Sequence, residues 1–420
     1  MSSKVDTISK VVESNLCNGC GACAGAFPNA FKMIDDAIEG RRPVALSPNG
    51  SADRDALAVC GGLGLAPLPA KDKVEADWGP VLACWEGHAA DAETRFRGSS
   101  GGAVTALATF LLEKDQAGAV AHIRGRRDDP RFNEATLSTT AQDILSAAGS
   151  RYAQASLLDV LPQVREAPTQ VAFIGKPCDI TSLTKARKFD QELDRRVGLT
   201  IAIFCAGAPN LAATETLLDR LGVPKKAKLT DLRYRGLGWP GKMQARWIDV
   251  DGTSHVSAAI SYADGWGSVL QSGRRWRCRI CDDHTGAFAD ISVGDPWHTP
   301  PQGQKDKGKS LIVARTAAGK ALIEEAIAAG VLIATEAPRD VIAAAQPNLL
   351  QTNAAVWGRR VAMTLVGMPT PLASTSSSFG AWLRQLNTVN KVKSILGTIK
   401  RIWQKRLFRA VRLTPVQRDQ

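Results

Sequence analysis

Residues 171–178 read VAFIGKPC and residues 199–205 read LTIAIFC. Each is a short apolar run that closes on a cysteine, Cys178 in the first and Cys205 in the second. Runs of this length and composition predict strands over Val171–Gly175 and Leu199–Phe204. Helical periodicity at Ala103–Glu113 and Leu211–Leu221 alternates with such strands from about residue 80 to 345. Alternation of this kind predicts an α/β core with parallel strands. In α/β sheets the carboxyl ends of parallel strands gather on one edge, where ligands bind. Two cysteines distant in sequence are thereby expected to meet.

Downstream, Cys278 and Cys281 (CRIC) form a C-x2-C pair of the metal-ligand type. Such a pair needs two further ligands, and Cys178 and Cys205 would supply them. Taken singly, either would read as a small buried hydrophobe, which is the reading for the leftover Cys84. A separate group stands near the N-terminus, where Cys17, Cys20 and Cys23 form C-x2-C-x2-C (CNGCGAC). That spacing lets one tight loop wrap a 4Fe–4S cubane, each thiolate reaching a different iron. Gly19 and Gly21 let the backbone close on the sulfurs. Bacterial ferredoxins continue the run with x3-C-P, whereas here Phe27 precedes Pro28. Cys60, flanked by glycines in AVCGGLGLAP, is the expected fourth ligand. Zinc is the competing occupant, although its sites more often use paired C-x2-C knuckles.

Three glycine-rich turns accompany the cysteines. Arg97, Gly98, Ser99, Ser100, Gly101 and Gly102 (RGSSGG) run straight into the helix Ala103–Glu113. Exposed backbone N–H groups at a helix start, with two hydroxyls and an arginine, form a phosphate-binding chemistry. The sequence lacks the Gly-Lys-Ser/Thr ending of a nucleotide-triphosphate loop and any G-x-G-x-x-G fingerprint. A second loop, residues 233–241 (RYRGLGWPG), offers Arg235, Gly236, Gly238 and Trp239 for close approach to a phosphate or a flat ring. Read alone, either stretch is also an ordinary turn. A third, residues 289–297 (ADISVGDPW), ends a strand on Gly294 and Asp295, where functional carboxylates often sit. Five scattered histidines give no hydrolase constellation, and no residue is singled out as catalytic.

The net charge of +12 is concentrated in the tail. Residues 384–420 hold ten Lys or Arg and one acid, which leaves +3 for everything before them. A nearly neutral body argues against nucleic acid as a partner. Val392, Ile395, Leu396, Ile399, Ile402 and Trp403 lie at helical spacing among the basic residues. A basic amphipathic helix of this kind suits an anionic membrane surface or an acidic partner. The same stripe would equally suit a helix docked on its own protein. Met1–Lys10 has no apolar signal-peptide core, and no apolar run approaches the roughly 18 residues of a membrane span. The sequence therefore predicts a cytoplasmic protein, with peripheral contact at the inner membrane face through its tail. Nine cysteines in that reducing compartment point to metal ligation before disulfides.

Taken together, CNGCGAC, FRGSSGGAVTAL, FIGKPCDI, FCAG, RYRGLGWPG and CRICDDHTGAFADISVGDPW span residues 17–297, about two thirds of the chain. In this order they resemble the family of coenzyme F420 hydrogenase/dehydrogenase beta subunits. The resemblance implies an iron–sulfur flavoprotein with FAD beside a 4Fe–4S cluster, some relatives holding one cluster and others two. Carried over by position, Cys178, Cys205, Cys278 and Cys281 would hold a cluster near the flavin. Gly98–Gly102 would meet the FAD phosphates and Arg235–Trp239 would flank the cofactor. Lys176 would place a cation near the flavin and favour its anionic reduced form.

The expected architecture is α/β. A ferredoxin-like cluster module (1–70) would precede a mixed α/β flavin-binding core in two parts (80–165 and 166–370). A linker and basic helical tail (371–420) would follow. The expected function is an oxidoreductase taking electrons from a ferredoxin-type donor through clusters to FAD and a small organic acceptor. Two alternatives stand beside it. One is an electron-transfer component that relays between a partner enzyme and coenzyme F420. The other is a zinc-stabilised accessory protein in polysaccharide biosynthesis, a process with which many bacterial members of the family are associated.

Overall fold

The computed structural model describes residues 5–47, 52–301, 303, 306–372 and 379–416. An N-terminal hairpin, β1 (Phe31–Asp36) and β2 (Gly40–Ala45), precedes β3 (Ala83–Ala89), the first strand of the main sheet. Next come β4 (Ala119–Gly125), β5 (Asn133–Ser138), β6 (Val171–Gly175) and β7 (Val197–Ile203). A small antiparallel insertion carries β8 (Lys228–Arg233), β9 (Lys242–Ile248), β10 (Ser254–Val256) and β11 (Ile260–Ser261). The chain then returns to the main sheet with β12 (Ile291–Gly294), β13 (Ser310–Ala314) and β14 (Leu332–Ala337).

The main sheet has eight strands in the order β14-β3-β13-β12-β7-β6-β4-β5. Neighbours β12, β7, β6 and β4 are parallel. Strand β3 pairs antiparallel with β13, itself antiparallel to β12, so β3 shares their direction. Five strands thus end on one edge.

Both faces of this sheet are covered. Strand β6 is buried at every position, as a parallel strand between two layers of helix should be. Ala172 and Ile174 join the cluster of Leu107, Phe110 and Leu111 from the helix Ala103–Glu113. Val171 and Phe173 point the other way, to Leu183 and Ala186 of the helix Pro177–Phe189. Strand alternation therefore sets one helix on each side. The strand expected at Val171–Gly175 and the helix at Ala103–Glu113 are found with those bounds. The strand expected at Leu199–Phe204 starts earlier, at Val197, because Val197 pairs with Val171. The helix expected at Leu211–Leu221 runs over Leu211–Arg220.

The N-terminal stretch is packed into the body. Cys20, Ala22 and Val59 share an apolar cluster with Leu157, Leu158 and Leu183. Val11, Leu16 and Cys17 share another with Trp276, Met363 and Ile402. The main sheet likewise draws strands from both stretches expected as core halves. The C-terminal region forms helices Pro347–Leu365, Phe379–Gln385 and Thr388–Gln404. Beyond them Thr414 and Val416 bond the hairpin backbone, Ala37 N to Thr414 O at 2.8 Å and Val416 N to Asp35 O at 2.9 Å. Residues 373–378 of the expected linker lie outside the described residues. Among the described residues, no helix is long and apolar enough to cross a membrane.

One buried arginine ties the sheet to the segment after CRIC. Arg315 donates to the Trp78, Pro80 and Thr285 carbonyls at 2.8, 2.9 and 3.0 Å, and to Ser292 Oγ at 2.5 Å. Burial drags its pKa down to about 10, so it stays charged at neutral pH. Replacing it (Arg315→Met) strands these acceptors and should cost on the order of 3 kcal/mol. A lower urea midpoint at unchanged m-value would register the loss; an unchanged midpoint would contradict the pinning role.

Candidate functional site

A cavity of ≈ 1630 Å³, its open mouth included, lies at the carboxyl edge of the main sheet. The edge contributes His122 and Ile123 from β4, Ile174–Lys176 after β6, Ile203–Ala208 after β7, and Val293–Asp295 from β12. Gly98, Ser99, Ser100, Gly102, Ala103, Val104 and Thr105 form another part of the wall. Gly102 caps the helix Ala103–Glu113 at φ 73°. A side chain there would collide with the Thr94 carbonyl 2.6 Å away. The first intrahelical bond is Ala106 N to Gly102 O, so the preceding amides are open to a ligand by helix geometry.

The two serine hydroxyls are already engaged. Ser99 Oγ accepts from Ser150 N at 2.5 Å, and Ser100 Oγ donates to Lys309 O at 2.9 Å. Arg97 and Gly101 lie outside the wall. Arg97 pairs with Glu93 on the surface, and Gly101 packs on the Lys309 backbone.

Arg235 is buried in the wall and pairs with both Asp295 oxygens, at 2.9 and 2.8 Å. It also donates to Ser99 O at 2.7 Å and Pro240 O at 2.8 Å. Asp295 takes a further bond from the Trp239 indole at 2.7 Å. Gly236, at φ 93°, and Gly238, at φ 103°, press the same loop onto the backbone of Phe96 and Arg97. The second glycine loop thus clamps the first. Of its residues, Arg235 reaches the cavity, while Gly236, Gly238 and Trp239 stand behind the wall.

The guanidinium of Arg235 sits 4.9 Å from the Tyr262 ring and 5.6 Å from the Trp297 ring. Tyr152, Tyr262, Trp266 and Trp297 add an aromatic surface that was missed in the sequence. A compositional signal existed: the chain has three tyrosines, and the Tyr152 ring packs against both others, edge-on to Tyr234 and tilted to Tyr262. Lys176 also reaches the cavity, but its ammonium bonds Asp179 at 2.6 Å, so its charge is shared.

Cys205 stands in the cavity wall and belongs to the second cysteine group. Its amide donates to His284 O and its carbonyl meets His284 Nδ1 at 2.7 Å, which joins the end of β7 to the CRIC segment. Ala208 N donates to Cys278 Sγ at 3.4 Å. Burial drives the Cys178 thiol well up, with Cys205 and Cys278 adding to the rise. Cys205 is pushed up to about 12 by burial, then by Cys278. Cys281 is raised by burial, with Cys278 again contributing.

Cys17, Cys20, Cys23 and Cys60 line a smaller hollow together. Burial pushes Cys20 up to about 12, and raises Cys23 and Cys60. Neighbouring thiols add to the rise at all three. Cys84 instead sits fully buried in β3, among core residues.

Side chains lace the two groups together. Ser182, one turn after Cys178, takes a bond from Cys20 Sγ at 3.2 Å and from Gly61 N at 3.1 Å, and donates to Cys178 O at 2.9 Å. Arg277 reaches from between Trp276 and Cys278 to Gly62 O at 2.8 Å. Arg275 is buried close to Cys17 and Cys278, and burial drags its pKa down to about 9. Its Nε and Nη2 have no hydrogen-bond partner. Among the described residues, no three His, Cys, Asp or Glu side chains are close enough to hold one metal ion.

Comparison with known proteins gives the chain a family and a fold. Residues 84–162 match the family model for the N-terminal part of the coenzyme F420 hydrogenase/dehydrogenase beta subunit. Residues 169–340 match the model for its C terminus. The beta subunit of the coenzyme F420 hydrogenase of Methanococcus voltae is 27% identical over 58% of this chain and 80% of its own length. A subunit of the F(420)H(2) dehydrogenase of Methanosarcina mazei is 24% identical over 70% of this chain and 80% of its own. A chain of the F420-reducing NiFe hydrogenase complex from Methanosarcina barkeri superposes with a TM-score of 0.54. It shares 19% identity, over 73% of this chain and 99% of that one, so it has the same fold.

Arg235 and Arg97 make a matched pair for testing the wall. Losing Arg235 (Arg235→Met) leaves the largely covered Asp295 without its ion pair, which should cost about 3 kcal/mol. Losing Arg97 (Arg97→Met) removes a surface pair and should cost less than about 1 kcal/mol. Parallel chemical melts check the contrast, and equal losses would show that Arg235 is no strut.

Proposed function

The chain belongs to the family of coenzyme F420 hydrogenase/dehydrogenase beta subunits, and on that premise we propose an oxidoreductase with cluster-binding cysteine groups and an FAD-binding cavity. The carrying observation is Cys205, which stands in the cavity wall and whose thiol is raised by its neighbour Cys278. Cys178, Cys205, Cys278 and Cys281 would hold the cluster beside the flavin. Cys17, Cys20, Cys23 and Cys60 would hold a second one.

The donor sets fit such groups. Buried thiols resist ionisation unless a cationic centre takes up their charge, and iron supplies it. The N–H groups of Arg275 that make no hydrogen bond, with Glu39 3.9 Å from Nε, suit cluster sulfurs in a medium of low polarity. A single zinc ion would need its thiolates roughly 4 Å apart, given Zn–S bonds of about 2.3 Å. A cubane binds each thiolate on a separate iron, which the C-x2-C-x2-C spacing of Cys17, Cys20 and Cys23 suits better than the zinc alternative.

The cavity suits FAD by its lining and by its place at the carboxyl edge of the sheet. The open amides after Gly102 would take the phosphates, and Tyr262 and Trp297 offer flat surfaces to a ring system. Asp179 Oδ1, buried and unpartnered in the wall, would accept one ligand N–H. When bound, the clusters would carry single electrons and the flavin would gather two for transfer to an acceptor. The ferredoxin-type donor and the small organic acceptor belong to the same reading, as does a reducing, cytoplasmic setting.

A second reading, a relay to coenzyme F420 within a larger complex, draws on the relatives' being named as subunits. Turnover of the isolated chain with ferredoxin alone would exclude it.

Anaerobic reconstitution should yield about eight iron, eight sulfide and one FAD per chain. Cys20→Ser should halve the iron and keep the flavin, whereas Cys205→Ser should halve the iron and alter the flavin spectrum. Arg275→Met should lower at least one cluster midpoint potential in an EPR-monitored titration. One zinc and no flavin per chain would refute the proposal.

A further inference from the structure

The helix Thr388–Gln404 is held on the body by a small, largely polar face. Ser394, Thr398 and Ile402 are its buried residues. Ser394 Oγ takes the Trp382 indole bond at 2.9 Å. Gly358 on the helix Pro347–Leu365 allows the close approach, since a side chain there would fall 2.1 Å from Ser394 Oγ. Beyond the helix, Val411 bonds Glu13 O, and Thr414 and Val416 are tied to the N-terminal hairpin. The helix is therefore fixed at both ends.

Its opposite face is apolar and uncovered. Val389 is 58% exposed, Val392 50%, Leu396 60% and Trp403 62%. At 100° per residue these four fall within one narrow arc, opposite the docked face. Lys393 and Lys400 are exposed directly beside the arc. Phe408 continues it, 5.2 Å from Trp403, with exposed Lys405, Arg406, Arg409 and Arg412 around it. No Asp or Glu occurs between residues 380 and 416.

We propose that this face docks the protein on an anionic lipid bilayer, the helix lying in the plane of the headgroups. An apolar stripe bordered by lysines and ended by a tryptophan matches the polarity gradient of that interface. The positive charge is spread along the whole helix and past its end, as a continuous negative surface requires and one acidic groove does not. The inference is independent of the cofactor reading.

Full-length protein is mixed with vesicles of phosphatidylcholine alone or with added phosphatidylglycerol, and bound protein is measured by co-sedimentation. Binding to the anionic vesicles is expected, weakened by salt, with little binding to the neutral ones. Leu396→Glu with Trp403→Glu should weaken it at least tenfold at an unchanged melting temperature, because both side chains face solvent. Lys393→Gln with Lys400→Gln should weaken it less. Undiminished binding by the Leu396/Trp403 variant would overturn the proposal. So would equal binding to both vesicle types, or a vesicle-free dimer that the same variant abolishes, which would assign the face to a second copy.

Discussion

Five strands of the main sheet run the same way, and that shared direction is the constraint from which the site follows. Parallel neighbours need crossover connections, and helices on both faces supply them. Each chain segment leaving the carboxyl edge is then delivered to the same place. The glycine turn after β3, GKPC after β6, FCAG after β7 and GDPW after β12 meet although nearly 200 residues separate the first from the last. Antiparallel β13, β14 and β5 end at the other side.

A second layer of organisation joins the N-terminal cysteines to this edge. Ser182 links Cys20 and Gly61 to the helix that begins beside Cys178. Arg277 joins the CRIC turn to Gly62. Each link runs between a residue in or next to one cysteine group and a residue in or next to the other. The groups therefore share one buried region, in which the charge of Arg275 is felt by Cys17 of one and Cys278 of the other. In a medium of low polarity such a charge has far more influence than it would in water.

Much of the frame was legible because its signals are local. A five-residue apolar strand and an eleven-residue helix declare themselves by periodicity, and Val171–Gly175 and Ala103–Glu113 appear with the expected bounds. Strand-end convergence could be read from topology alone. The lacing could not, because Ser182 and Arg277 look like ordinary helix and surface residues until tertiary contacts place them. The same holds for Arg235. A loop arginine beside glycines reads as open to a phosphate, and only tertiary contacts show the carboxylate and carbonyls that engage it in the wall. The packing of the N-terminal stretch was out of reach for the same reason. Composition marks a cysteine-rich segment, but only packing shows that Cys20 and Leu183 share one core cluster.

The tail shows how two readings of one pattern can both describe parts of the same helix. An amphipathic helix on its own protein ordinarily turns its apolar arc inward. This one turns Ser394 and Thr398 inward, where Gly358 admits close packing, and leaves Leu396 and Trp403 in water. Docking through small residues costs the helix little hydrophobic area, so the larger side chains remain free for another contact. Because the flanking segments hold it against the body, the exposed arc is presented in a fixed orientation. A surface that met it would thus orient the whole molecule, and with it the cavity mouth at the carboxyl edge.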